Sequence, residues 1–248
     1  MRVAEPRFRP DDPADAHEEL KATQRALAAA ARFEDAAGIT PGSIRRGESL
    51  VAGVDQAFLD DRAVSAVVVL RAGEVVERAS ATAPLRMPYV PGLLSFREGP
   101  PIVPALESLE TDPDLLVFDG SGRIHYREAG IATHVGVCFD TPALGVAKSL
   151  LCGRPAAPTD ELAAGDRVPI EADESMTAPA GTVVGHAYQS RQYPDSTRIN
   201  PVYVSPGHRL SAETALACLI ACGGEYKLPR PTRLADRHAE TVRSERSE

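Results

Sequence analysis

The chain has no long apolar run: nothing in its 248 residues approaches the ~20 consecutive apolar residues of a membrane helix. Its first residues, MRVAEPRFRPDDPADA, hold no apolar segment of the kind a secretory signal carries. A cytoplasmic protein with no membrane partner is therefore expected. No C-x-x-C pair occurs. The four cysteines are Cys138, Cys152, Cys218 and Cys222. The last two lie among Ala, Leu and Ile in a helical pattern, so they read as buried thiols rather than zinc ligands. Positive charge is not in surplus. A net charge of −8 argues against a generally basic nucleic-acid binder while leaving room for a local basic groove. There is no internal repeat and no linker strong enough to divide the chain. One domain over residues 13–236 is expected, with a disordered polar tail at 237–248.

Helix formers and their spacing predict a helix from Asp15 to about Ala36, then a loop from Thr40 to Glu48. Three strands follow at about 49–57, 63–71 and 74–82, the last two joined by a tight turn at Ala72–Gly73. Val64 to Leu70 reads as a strand buried on both faces. Ser95–Phe96–Arg97–Glu98 has capping-box spacing, and Pro101 and Pro104 predict irregular first turns in the helix it opens. Further strands are expected at 114–119 and Ala143–Ala147, with a short helix between them over Gly130–Cys138. Strand pieces at 167–171, 181–187 and Asn200–Ser205 and a helix over Ser211–Cys222 complete the order. Residues 1–12 read as loosely held. Three antiparallel strands followed by alternating helices and strands make an α/β protein, a mixed sheet with helices on both faces.

Chemistry concentrates at strand ends. The run Leu115–Leu116–Val117–Phe118 ends in Asp119 and turns through Gly120, Ser121 and Gly122 to His125. Leu50 to Val54 leads in the same way into Asp55. Two strand-end aspartates, with Glu98 on the helix between them, form a carboxylate set for a hard divalent cation. Each has a plainer alternative: a turn residue for Asp55 and Asp119, and a helix cap for Glu98. Lys148 closes an apolar strand and His208 precedes a helix N-terminus, where an anion could dock. His134 reads as a core residue, and His186 as ambiguous.

Taken together, several segments resemble endonuclease V. They are VAGVDQAF at 51–58, PYVPGLLSFREGP at 88–100, DLLVFDGSGRIHYREAGIATHVGV at 114–137, PALGVAKSLLCG at 142–153, SPGHRLSAETAL at 205–216 and YKLPRPTRLAD at 226–236. The resemblance implies a ribonuclease H-like fold and a DNA-repair endonuclease. Such an enzyme acts on deaminated bases, chiefly deoxyinosine, and nicks the second phosphodiester bond on the 3′ side to leave 3′-hydroxyl and 5′-phosphate ends. It implies Asp55, Glu98 and Asp119 as ligands of Mg²⁺, with Mn²⁺ able to substitute. It places Lys148, His125 and His208 near the scissile phosphate. It makes Pro88, Tyr89, Val90 and Pro91 a strand-separating wedge, and lines the pocket for the extruded base with Gly92, Gly120, Gly122 and Leu151. DNA containing deaminated bases is the implied partner, and no protein partner is inferred. An inosine-specific ribonuclease of the same fold and a non-catalytic lesion-binding protein are the alternatives.

Overall fold

The computed structural model describes residues 1–10, 17–35, 38–195 and 197–246. Helix α1 (His17–Ala30) and the short α2 (Pro41–Arg46) precede three antiparallel strands, β1 (Leu50–Leu59), β2 (Arg62–Arg71) and β3 (Glu74–Pro84). Then come α3 (Leu94–Glu107), β4 (Leu115–Asp119), α4 (Ile131–Phe139) and β5 (Ala143–Ala147). The last part holds β6 (Arg154–Pro155), β7 (Arg167–Glu171), β8 (Val183–Tyr188), β9 (Val202–His208), α5 (Ala212–Ala221) and α6 (Arg230–Glu245). The nine strands form one sheet in the order β3-β2-β1-β4-β5-β9-β8-β7-β6. Its centre is parallel, since β4 pairs with both β1 and β5 in that sense. The other pairings are antiparallel.

Period-two alternation decides what each face carries. Ala52, Val54, Val67, Val69, Leu116 and Phe118 pack under α3 and α4. Val51, Leu115, Val117, Leu144 and Val146 pack under α2 and α5. Helix α6 covers the latter face farther along, its Ala235 against Val68 and Leu70 and its Ala239 against Ala57 and Ala66. This two-sided cover explains the unbroken apolar run of β2, in which Val64 and Ala66 to Val69 are fully buried. Gly53 is required by the same packing: a Cβ there would lie 2.1 Å from the Pro231 carbonyl oxygen.

The expected elements stand, with six differences. The segment Thr40–Glu48 is not a loop. Thr40 and Ser43 make a reciprocal capping box, Pro41 sits in the first turn, and Gly47 closes α2 with a left-handed φ of 70°. The first helix ends at Ala30 rather than Ala36; residues 11–16 and 36–37 lie outside those described. The box expected at Ser95 is absent: Leu93 is the N-cap and no side chain caps the helix. Despite its prolines, α3 runs on as one helix from Leu94. Residues 1–10 are not loose. Phe8 is buried against Leu27 and Val137, Ala4 and Glu5 donate to the Cys138 carbonyl, and Pro10 rests on Gly99. The polar tail from Arg237 continues α6, because Ala235, Ala239 and Val242 recur at helical spacing and bury a stripe that polar composition hides.

Candidate active site

Parallel pairing brings the strand ends together. Val54 stands opposite Phe118, and Asp119 opposite Val146, so Asp55, Asp119 and Lys148 meet at the carboxyl edge of the sheet. That edge is where open α/β sheets place their ligands. Alternation turns all three side chains toward the α5/α6 face, in line with Val117 and Val146. Lys148 Nζ donates to Asp119 Oδ2 at 2.8 Å. Asp55 is 8 % exposed and accepts from the Gln56 amide. Burial and the nearby Asp119 charge push its pKa up to about 8. Glu98 reaches the same edge from α3. Burial raises its pKa to about 7 against the pull of Arg97, and Asp119 adds to the rise. Lys148 is opposed by burial, but its Asp119 hydrogen bond and the charges of Asp119, Asp55 and Asp236 raise its pKa.

Asp236 of α6 is the acidic group that sequence reasoning passed over. It acts on both Asp55 and Lys148 and borders a cleft with Lys148. The signal was present, since the apolar stripe of α6 carries Asp236 beside the buried Ala235.

These oxygens suit a hard cation. Asp55 and Glu98 hold protons that a divalent ion would displace, and the repulsion around Asp119 is what such an ion would relieve. Among the described residues no three Asp, Glu, His or Cys groups close a cage. An open site of one or two carboxylates is the arrangement that Mg²⁺ takes, keeping several of its waters.

The two histidines expected at the phosphate have their ring nitrogens bonded to protein groups other than Asp55, Asp119 and Lys148. His125 is 4 % exposed and its pKa is lowered to about 4 by burial and the Arg127 charge. The Arg127 amide donates to its Nδ1, so Nε2 carries the proton and donates to the Gly92 carbonyl at 3.1 Å. Gln24 and Arg127 donate to that same carbonyl. His125 therefore anchors the wedge loop. His208 pairs with Ala143 at the start of β5, five residues and roughly 16 Å of strand from Lys148. The antiparallel run of β9 puts its end there. His208 takes the Arg32 amide on Nδ1 and donates through Nε2 to Asp140.

The loop over residues 88–91, expected to be the wedge, projects. Tyr89 is 67 % exposed. Pro88 and Pro91 are exposed, while Val90 packs with Leu20, Met87, Leu93 and Phe96 at the loop's base. Gly92 has φ 78°, and a Cβ there would meet the Tyr126 ring at 3.1 Å. Tyr126 and Leu151 both pack against the cluster that holds Ile124, and Gly92 adjoins it through Tyr126. Gly120 lies at the edge with its amide held by the Val146 carbonyl. Gly122 is buried instead: its amide donates to Ser205 and a Cβ would lie 2.3 Å from the Pro206 oxygen. It serves packing of β9 and not a pocket. His134 is a core residue, bonded to the Phe8 carbonyl, and His186 pairs with Glu213.

The sequence model of the Endonuclease V family matches residues 38–237. Endonuclease V of Natronomonas pharaonis is 66 % identical, covering 98 % of this chain and 98 % of the relative. That of Halobacterium salinarum is 56 % identical, covering 96 % and 98 %. Among solved structures, Bacillus subtilis endonuclease V matches with a TM-score of 0.82 at 29 % identity, covering 100 % and 99 %. Ciona intestinalis endonuclease V, solved with a 24mer DNA containing an inosine followed by a ribo-adenosine, matches with a TM-score of 0.75 at 25 % identity, covering 92 % and 98 %.

Proposed function

This chain belongs to the endonuclease V family, with its ribonuclease H-like fold, and from that premise we propose how this DNA-repair nuclease works. It acts on nucleic acid carrying deaminated bases, chiefly deoxyinosine, and nicks the second phosphodiester bond 3′ to the lesion. The observation that carries this reading is the crowding of Asp55, Glu98 and Asp119 at one strand edge, with Lys148 bonded to Asp119.

Asp55 and Asp119, with Glu98 beside them, are the residues that would hold Mg²⁺ or Mn²⁺. When bound, such an ion supplies an activated water and positive charge for the phosphate oxygens. Lys148 is paired with Asp119 on a side chain that is 62 % exposed. It leaves Asp119 for the scissile phosphate, where its charge favours the pentavalent transition state. Asp236 stays near Lys148 and Asp55 to orient the attacking side. Attack breaks the P–O3′ bond and leaves a 3′-hydroxyl and a 5′-phosphate. Extruding a base costs a few kcal/mol, less for one that pairs weakly. Tyr89 fills the gap left in the stack, and the wall of Gly92, Tyr126 and Leu151 receives the base. His125, Gln24 and Arg127 hold Gly92 so that this wall keeps its shape.

The test is nicking of matched DNA and RNA duplexes bearing one inosine, with Mg²⁺ and with chelator. The expected result is Mg²⁺-dependent nicking of the DNA at the second bond, abolished by chelator. Faster nicking of the RNA would assign the protein to inosine-containing RNA. Binding without nicking of either would make it a lesion-binding protein.

A further inference from the structure

A cleft of about 560 Å³ opens beside the carboxylates, with Lys148 and Asp236 in its lining. Its walls carry Lys148, Arg198, Lys227 and Arg233 against a single acid, Asp236, in a chain whose net charge is −8. The cations are close enough to oppose one another: burial, then Arg198 and Lys148, lower the Lys227 pKa. Two tyrosines complete the walls. Tyr193 is 45 % exposed and Tyr226 46 %. Arg191 lies over the Tyr193 ring at 5.3 Å and Arg233 over the Tyr226 ring at 3.1 Å. The walls are fastened together, because Ser190 Oγ donates to the Lys227 carbonyl and the Asn200 amide to Gln189. Interleaved cations and exposed aromatic faces are the means by which proteins hold unpaired strands, and only bases out of a duplex stack can use those faces.

The cleft's place gives it a direction. The wedge loop sits at the N-terminal end of α3, with Met87, Leu93 and Phe96, whereas the cleft belongs to the α5–α6 side. The two aspartates link the sides: Lys148 and Asp236 of the cleft act on Asp55, Lys148 bonds Asp119, and Glu98 of α3 feels Asp119. We propose that the cleft holds the strand continuing 3′ from the scissile phosphate, stacking its unpaired bases on Tyr193 and Tyr226 while Arg198, Lys227 and Arg233 meet its phosphates. This rests on the functional reading above, in which the lesion lies 5′ of the nick.

The test is single-turnover nicking of single-stranded deoxyinosine oligonucleotides whose 3′ tails, counted beyond the scissile phosphate, lengthen stepwise from one nucleotide to about eight. At subsaturating enzyme the wild-type rate is expected to rise about ten-fold or more with tail length. Tyr193→Ala and Tyr226→Ala flatten that rise yet match wild type on the shortest tail, and Tyr226→Phe keeps it. A tail of abasic residues gives no rise. A rate independent of tail length, an abasic tail that works as well, or an equal loss on short and long tails overturns the proposal. If an alanine variant melts early, the wild-type tail series decides alone. If no deoxyinosine strand is nicked, the functional reading fails. The cleft is then judged by fluorescence anisotropy on an undamaged single strand, where Tyr226→Ala must weaken binding about ten-fold and unchanged binding overturns it.

Discussion

At the carboxyl edge of the parallel strands, Asp55, Glu98 and Asp119 crowd together, two of them with raised pKa values. At the amino end of β5, a single carboxylate, Asp140, is surrounded by His208, Arg32 and Arg209. Burial works against its charge, but the His208 hydrogen bond and the Arg209 and Arg32 charges hold its pKa below the usual range. Asp140 also caps α4 in the left-handed region, with φ 47°. The two ends use the same residue types to opposite effect. One is charge-matched and ties α1, α4 and β9 together. The other keeps like charges close, a cost to stability that a cation or a phosphate can turn to use.

The largest effect expected is at Asp55. Asp55→Asn and Asp119→Asn each keep shape and remove a charge. Both should lower Mg²⁺-dependent nicking by about a thousand-fold or more, the scale of losing several kcal/mol of charge stabilisation. Without metal, Asp55 keeps its proton to about pH 8, whereas its ordinary pKa is 3.8. The folded state binds the extra proton. Its contribution is full below the ordinary value and is lost as pH rises through the folded one. In chelator, wild type should therefore melt lower at about pH 9 than at about pH 6, and Asp55→Asn should remove most of that difference. A steeper fall in the Asn variant, or near-normal nicking by it, would break the contrast between the edges. The same protons make the apparent Mg²⁺ affinity rise with pH up to about 8. Flat affinity over that range would remove Asp55 and Glu98 as ligands.

Lys148→Met should cost about a hundred-fold in single-turnover rate, the lower range for removing one donor to a developing charge. Its melting temperature should barely change, because the side chain is 62 % exposed. A loss of stability with an unchanged rate would make Lys148 a structural partner of Asp119 alone. Tyr89→Ala should weaken discrimination between inosine-containing and undamaged DNA about ten-fold, also at constant melting temperature. If it destabilises while its folded fraction still discriminates, the wedge assignment is wrong.

The smallest effect on nicking belongs to the opposite edge. His208→Ala leaves Asp140 short of a buried donor and should cost about 1–3 kcal/mol of stability, read by thermal or urea melts. Nicking per folded molecule should stay within about two-fold of wild type, given the ~16 Å of strand between His208 and Lys148. A large loss of rate at full stability would restore His208 to the phosphate and erase the distinction between the edges.

Much of this was legible in the chain. The nearly unbroken apolar run Val64–Leu70, the Ala72–Gly73 turn and the Ser211 cap are local signals, and the structure keeps each one. Asp55 and Asp119 could be found because an apolar run running into an acid reads as a strand end. Their meeting with Lys148 follows only from parallel pairing, which a sequence pattern does not encode. Asp236 was hidden by the polar surface of α6, and the N-terminal residues by holding their buried Phe8 and Pro10 among polar neighbours. The histidines misled for the same reason in both cases. His125 lies six residues past Asp119 in sequence, yet its ring turns back to Gly92. His208 lies in a fitting motif, yet β9 runs antiparallel to β5. Local pattern determined which residues form strands, helices and caps, since those depend on neighbours a few positions away. Strand direction and the packing of distant segments decided which charges face one another, because a side chain's pKa and reach depend on what the fold brings beside it.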